Sequence, residues 1–286
     1  MHTARLLRPL AVGGSVAALA MFAALPAGAS AASSASSPHS SKIAQVHPMI
    51  RTPGASTSGS TVTSGNWAGY AALPKHSGGK FRFVAATFTV PSVNCATTPN
   101  SLSVHWVGLD GFKADSPTVE QDGVESDCDG STPAYSAWWE TFPGNDIQTV
   151  FNVNAGDAVR ASVFFEAAAG GHHHEYNLVL TDITSGQSFN LWKKCGGTSG
   201  CKNNSAEIIS EAPSNSTGIL PLADYGLESF VNVKVHDKGG QKGGISSSNW
   251  KHDKIIQFNG TSGDTLATPS VLFGSHAFSN TWRDVS

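Results

Sequence analysis

Two stretches hold the residue types needed to add water to an unreactive carbonyl: a carboxylate that takes the proton from water, and a neutral amide that binds the resulting oxyanion. The first runs from Trp106 to Glu140 and contains WVGLDGF, TVEQDGVESDC and YSAWWETFP. The second is Ser205-Ala206-Glu207-Ile208-Ile209-Ser210-Glu211. In a strand, alternate side chains share a face. Gln121, Gly123 and Glu125 therefore go together, as do Ser136, Trp138 and Glu140, and Glu207, Ile209 and Glu211. Gln121, Trp138, Glu140 and Glu211 would then line one concave surface. There Glu211 would take the proton from water and later return it to the leaving nitrogen. Gln121 does not titrate, so its NH2 group can donate to the oxyanion at any pH while its carbonyl holds the water. A glutamate of ordinary pKa, about 4.3, keeps its base form in mild acid, and a neighbour such as Glu140 would raise that pKa. An acid optimum is expected.

The elements that position these groups read as strands. Helical patterning is nearly absent after the N-terminal region, while alternation recurs. Val84, Ala86, Phe88 and Val90 share one face of a segment that ends at Pro91. Val159, Ala161, Val163 and Phe165 alternate in the same way, as do Asn177, Val179, Thr181 and Ile183, and then Val231, Val233 and Val235. Clusters of Gly, Asn, Ser and Pro separate the segments at short intervals. The pattern predicts an all-β, two-sheet antiparallel sandwich. It shows no βα alternation, phosphate loop or solenoid period.

The N-terminus has Arg5 and Arg8, an uncharged run from Leu10 to Leu25, and small residues at Ala27-Gly28-Ala29 and Ala29-Ser30-Ala31. This reads as a secretory signal peptide over residues 1–31, so a secreted, extracellular protein is expected. Residues 32–64 are rich in Ser, Thr and Ala and too poor in large apolar residues to bury a core, which marks a linker or propeptide. Residues 65–286 form one domain. With a net charge of -3 and 14% charged residues, the chain lacks the basic stripe of a nucleic-acid or anionic-membrane binder. No membrane association is expected after signal cleavage, and a monomer is expected. Cys95, Cys128, Cys195 and Cys201 are an even set in an exported chain, and three pairings are formally possible. Cys95–Cys128 and Cys195–Cys201 are favoured, the second because GGTSG closes easily between its two cysteines. No CxxC or close Cys/His spacing suggests a metal, the carboxylates lack the pattern of a calcium loop, and no cofactor is implied.

Several linked motifs together resemble the glutamic peptidases (eqolisins, peptidase family G1): Ser64-Gly65-Asn66-Trp67-Ala68-Gly69, Val90-Pro91-Ser92, Trp106 to Gly111, the Gln121 segment, Tyr135 to Pro143, and Ala206 to Glu211. The resemblance covers nearly all of the mature region and points to a secreted member of bacterial type. It implies a β-sandwich of the concanavalin A-like lectin/glucanase type, made as an inactive precursor, that hydrolyses polypeptides in acid with a Gln/Glu dyad and is insensitive to pepstatin. It places the catalytic glutamine on Gln121 and the catalytic glutamate on Glu211. It also places Trp67, Glu125, Trp138 and Glu140 along the substrate cleft, with Trp106 and Asp110 supporting the glutamine and the cleft floor. Ser210 and Ala212-Pro213 depart from the fungal pattern, which usually has an apolar residue and an acidic-aromatic pair.

Two other readings compete. Glu120, Asp122 and Glu125 fit the ExDxxE spacing of lectin-fold glycoside hydrolases, which would need Glu120 and Asp122 on the cleft face and Glu125 brought there by a bulge. This register is opposite to the one that Gln121 requires. A non-catalytic carbohydrate-binding module would instead stack sugars on Trp67, Trp138 and Trp139, although Trp139, opposite in parity to Trp138, reads as core. His172-His173-His174-Glu175 reads as a solvated hairpin tip, and His105 as a strand histidine satisfied by its neighbours. Glu207 reads as a structural acceptor near Glu211.

Overall fold

The alternating segments form strands and the Gly, Asn and Ser clusters form turns. The computed structural model describes residues 61–167, 171–198 and 200–283, and no helix occurs among them. In chain order the strands are β1 (Thr61–Ser64), β2 (Trp67–Leu73), β3 (Phe81–Thr89), β4 (Val104–Leu109), β5 (Val119–Asp129), β6 (Thr132–Phe142), β7 (Asn145–Asn152), β8 (Ala158–Glu166) and β9 (Glu175–Asp182). They continue as β10 (Ser188–Lys194), β11 (Ala206–Glu211), β12 (Ser214–Asn215), β13 (Gly218–Ile219), β14 (Leu227–Asp237), β15 (Lys242–Gly243), β16 (Lys251–Phe258), β17 (Thr265–Pro269) and β18 (Phe278–Trp282).

A single hydrogen-bonded path runs β10-β9-β8-β3-β14-β18-β17-β16-β2-β11-β4-β5-β6-β7, and only β12 and β13 pair apart from it. The path doubles back on itself. Val84, Val163, Leu178 and Phe230 from one half pack in a common core with Val107, Val124, Ala137 and Ile208 from the other. The expected antiparallel sandwich is therefore present, built as one folded-over sheet with a small second sheet beside it. Trp139 joins the inter-layer core, as its parity predicts.

Three details differ from the alternation read in the sequence. Thr61–Ser64 pair with β16 in parallel, so ordered structure starts before residue 65. On β9 the core takes Tyr176, Leu178 and Leu180, the set opposite to Asn177, Val179 and Thr181. On β14 the register against β3 shifts between Val231 and Lys234, with Asn232 at φ 54°. That bulge turns the chain by one residue, so Phe230, Val233 and Val235 are buried while Val231 is exposed. The signal-peptide reading of residues 1–31 and most of the 32–64 segment lie outside the described residues.

Disulfides join Cys95 to Cys128 and Cys195 to Cys201. The first ties the loop after β3 to the end of β5. The second closes the short loop that leads from β10 toward β11.

Candidate active site

Strands β2, β11, β4, β5 and β6 lie side by side, and their registers decide which side chains meet. One face of this run supplies the inter-layer core. The other, here called the outer face, carries the second apolar cluster with Trp67, Trp106, Trp138 and Ile209. Three rows cross it. Glu207, Gly108, Gln121 and Glu140 form the first, and Ile209, Trp106, Gly123 and Trp138 the second. Glu211, Val104, Glu125 and Ser136 form the third, with Trp67 beside Glu211 on β2. Gln121 and Glu211 thus share a face but not a row. The row containing Trp106 lies between them.

The Trp106 ring links the rows because its neighbours are glycines. A Cβ at residue 123 would lie 2.1 Å from the His105 carbonyl oxygen and 2.7 Å from Trp106 Cβ. One at residue 108 would lie 2.9 Å from Trp106 Cζ3 and 3.1 Å from Gln121 Cβ. With both positions open, Trp106 Nε1 donates to Glu211 Oε2 at 2.9 Å. Gly108→Ala is expected to press on this ring and cost about 1–3 kcal/mol, the usual range for overpacking. A urea midpoint equal to wild type would contradict that expectation.

Glu211 is fully buried, and its second oxygen, Oε1, accepts from Asn66 Nδ2 at 2.9 Å. Burial pushes its pKa well up, while the Trp106 and Asn66 donors pull the other way. The Trp67 indole also favours the anion, although its N–H does not reach hydrogen-bond geometry. Trp67 packs edge-on against Trp106, with ring centroids 4.9 Å apart. Asn66 was not among the residues singled out from the sequence. Its only signal was adjacency to Trp67 within the Ser64 to Gly69 motif.

Gln121 Nε2 donates to Glu140 Oε2 at 2.5 Å, while its Oε1 has no hydrogen-bond partner among the described residues. The amide is therefore oriented, with one N–H and the carbonyl uncommitted. Glu125 Oε2 accepts from Ser136 Oγ at 3.2 Å, further along the same strand pair. Trp138 is buried in the middle row, across Gly123 from Trp106. Glu207 occupies the Gln121 row rather than a position beside Glu211, and burial also pushes its pKa well up.

Asp110 stands at the end of β4, next to the segment that leads into β11. It follows β4 at φ 74°, and its carboxylate accepts the backbone N–H groups of Asn203 and Asn204 at 2.6 and 2.8 Å. It thereby fixes the segment that leads into β11, and so supports the site from a distance.

Strand β5 runs without a register shift against both neighbours. Glu120 and Asp122 consequently face inward, opposite to Glu125. Glu120 Oε1 accepts from Gly196 N at 3.2 Å and sits 2.9 Å from Cys201 Sγ. Asp122 lies near the backbone of Ser162 and Val179 in the opposing layer. The bulge that a Glu120/Asp122/Glu125 site would require is absent from β5. Among the described residues, the grouping of possible metal-ligand atoms is Glu120 with Cys195 and Cys201, whose sulfurs are bonded to each other. At the hairpin tip, His172 stacks on Trp192 with centroids 4.1 Å apart and bonds Glu175 at 2.7 Å.

A folded-over β-sandwich of this kind has known structural counterparts. Scytalido-glutamic peptidase bound to a peptide-based transition-state analogue aligns at TM-score 0.62 and 21% identity, covering 77% of this chain and 98% of that one. SCP-B, an eqolisin in complex with the tripeptide Ala-Ile-His, aligns at 0.59 and 22% over 77% and 98%. The aspergilloglutamic peptidase from Aspergillus niger aligns at 0.52 and 22% over 64% and 99%. At these identities the structures carry the fold. The Peptidase A4 family model matches residues 65–282, and the chain belongs to that family; it is a glutamic peptidase. No curated protein matches it.

Proposed function

We propose that the protein is a secreted acid endopeptidase in which Glu211 activates water for direct attack on the peptide carbonyl and Gln121 stabilises the tetrahedral oxyanion. The observation that carries this reading is the pair of contacts around the dyad. Glu211 is held through both oxygens by Trp106 and Asn66, and Gln121 is anchored through Nε2 by Glu140 with its carbonyl uncommitted. The peptide would lie across the Trp106 row, with the scissile carbonyl and the water between the two side chains. Proton transfer from water to Glu211 forms the tetrahedral intermediate. The same proton then passes to the departing amine, so the carboxylate returns to its starting form.

Gln121, Glu211, Trp67, Trp106 and Trp138 carry no exposed surface. A substrate therefore reaches them only after the outer face has opened. Opening readmits water to Glu211, which lowers its pKa, while the donors from Trp106 and Asn66 continue to favour the anion. The base form is then present in mild acid. Trp67, Trp138, Glu125 and Glu140 would contact the polypeptide on either side of the cut. Residues 32–60 are proposed as a linker or propeptide, while Thr61–Ser64, read with that segment in the sequence, pair with β16 and go with the enzyme domain.

The test is hydrolysis of denatured casein by the secreted, processed protein between about pH 2 and 7, with pepstatin present. Acid cleavage that survives pepstatin is expected. Activity peaking near neutrality, or intact casein at every pH beside release of sugar from a β-glucan, would overturn the reading.

A further inference from the structure

On the inner side of the same strands, directly behind the proposed base, lies a buried polar network with no part in the scheme above. Ser210 precedes Glu211 on β11 and points to the opposite face, where its Oγ lies 3.0 Å from His105 Nδ1. His105 precedes Trp106 on β4 and is the residue opposite Ser210 in the ladder. Asn280 reaches in from β18, and its Nδ2 donates to Ser210 Oγ at 2.9 Å and to the Ala68 carbonyl at 3.0 Å. Ala68 is the residue opposite Ser210 on β2. One side chain from the neighbouring part of the folded sheet thus ties together β2 and β11, and Ser210 extends the tie to β4. Ser210, His105 and Asn280 have no exposed surface.

These are the strands that present the groups around Glu211. Asn66 and Trp67 stand just before Ala68, Trp106 follows His105, and Glu211 follows Ser210. We propose that Ser210, His105 and Asn280 are positioning residues that hold Glu211 and its donors in register from the inner face. The proposal rests on the reading of Glu211 as the base. A hydroxyl between two fixed partners resists rotation and sliding of β11, and catalysis is sensitive to misplacement well below an ångström. The groups facing the network are Tyr225, whose ring packs edge-on against His105 at 4.9 Å, and Glu228, which lies opposite Asn280 on β14. Burial pushes the His105 pKa down to about 3, keeping the ring neutral through mild acid, and pushes the Tyr225 and Glu228 pKa values up.

The experiment compares Ser210→Ala, Ser210→Thr, His105→Leu and His105→Asn with wild type and Glu211→Gln, reading kcat, KM, the pH profile and far-UV circular dichroism. Ser210→Ala and His105→Leu should each fold, keep KM within about twofold, lower kcat about tenfold and shift the acid limb of the kcat profile. Ser210→Thr keeps the hydroxyl, and His105→Asn keeps a polar atom near the position of Nδ1. Both should recover most of the loss. Unchanged kcat and pH profile in Ser210→Ala and His105→Leu would overturn the proposal. So would failure of those two variants to fold, which would assign the network to stability alone. If Glu211→Gln retains wild-type turnover, the base reading fails first, and that outcome is distinct from one in which only the Ser210 and His105 variants are silent.

Discussion

Glu211→Gln should leave the sandwich folded and lower kcat by about 10⁴-fold, the upper end of what a positioned general base contributes. The substituted amide has nearly the same shape, and its oxygen can accept from either Trp106 Nε1 or Asn66 Nδ2, the two donors that bind Glu211. It cannot accept a proton from water. Substrate contacts along the outer face are retained, so KM should change little. Gln121→Ala should cost about 10²–10³-fold, the range for one oxyanion donor. It also removes the amide bound to Glu140. Because both residues act on one intermediate, the double variant should be no slower than the worse single one by more than about tenfold. Stopped assays on casein at the acid optimum decide the matter. Glu211→Gln turnover within tenfold of wild type would remove Glu211 from the mechanism.

The stability of the protein should fall steeply as pH rises from about 4 toward neutrality. Asp110, Glu120, Asp122, Asp127, Glu207 and Glu228 are all buried, and desolvation is the leading cause raising each of their pKa values. Like charges add to the effect, since Asp110 acts on Glu120 and both act on Glu207. Among the described residues no lysine or arginine forms a salt bridge with any of them. A carboxyl whose folded pKa is raised stays protonated in the native state while the unfolded chain ionises. Its stabilising contribution is complete below the unfolded value of about 4 and is lost as pH rises toward the folded value. Each such group loses about 1.4 kcal/mol per pH unit in that window, so two or three in step consume much of a typical margin of about 5–15 kcal/mol. His105 acts in the other direction. Its lowered pKa makes acidification destabilising between about 6.5 and about 3. One imidazole is outnumbered by the carboxyls, and the net slope should favour acid. Thermal melts by circular dichroism from pH 3 to 8 test this. A midpoint that rises between pH 4 and 7 would refute it, and Asp122→Asn should flatten the slope.

The proposed chemistry and the expected stability profile both favour acid. The proposed chemistry needs a carboxylate base, and the fold keeps its other buried carboxyls neutral. The tenfold effect expected at Ser210 is smaller than either result above, but it reports on a part of the molecule that neither of them probes.

The sequence by itself determined the all-β class, because alternation with period two survives in any sandwich, whereas the unshifted pairing of β5 decided that Gln121 shares a face with Glu125. The disulfide pairing was also legible, since a six-residue separation closes easily. The family followed from motifs in a fixed order. Pairing between strands remote in sequence is set only when the sheet forms. Tertiary structure therefore decided that Gln121 lies in the row of Glu207 and Gly108, while Glu211 lies in that of Val104 and Glu125. It decided that Asn66 holds Glu211 across a separation of 145 residues, a contact with no local signature. It set the Asp110 carboxylate against the backbone of Asn203, 93 residues further along the chain, a contact that no local pattern shows. It also placed Ser210, His105 and Asn280 together, three ordinary polar residues that meet only because two layers of one sheet close over them.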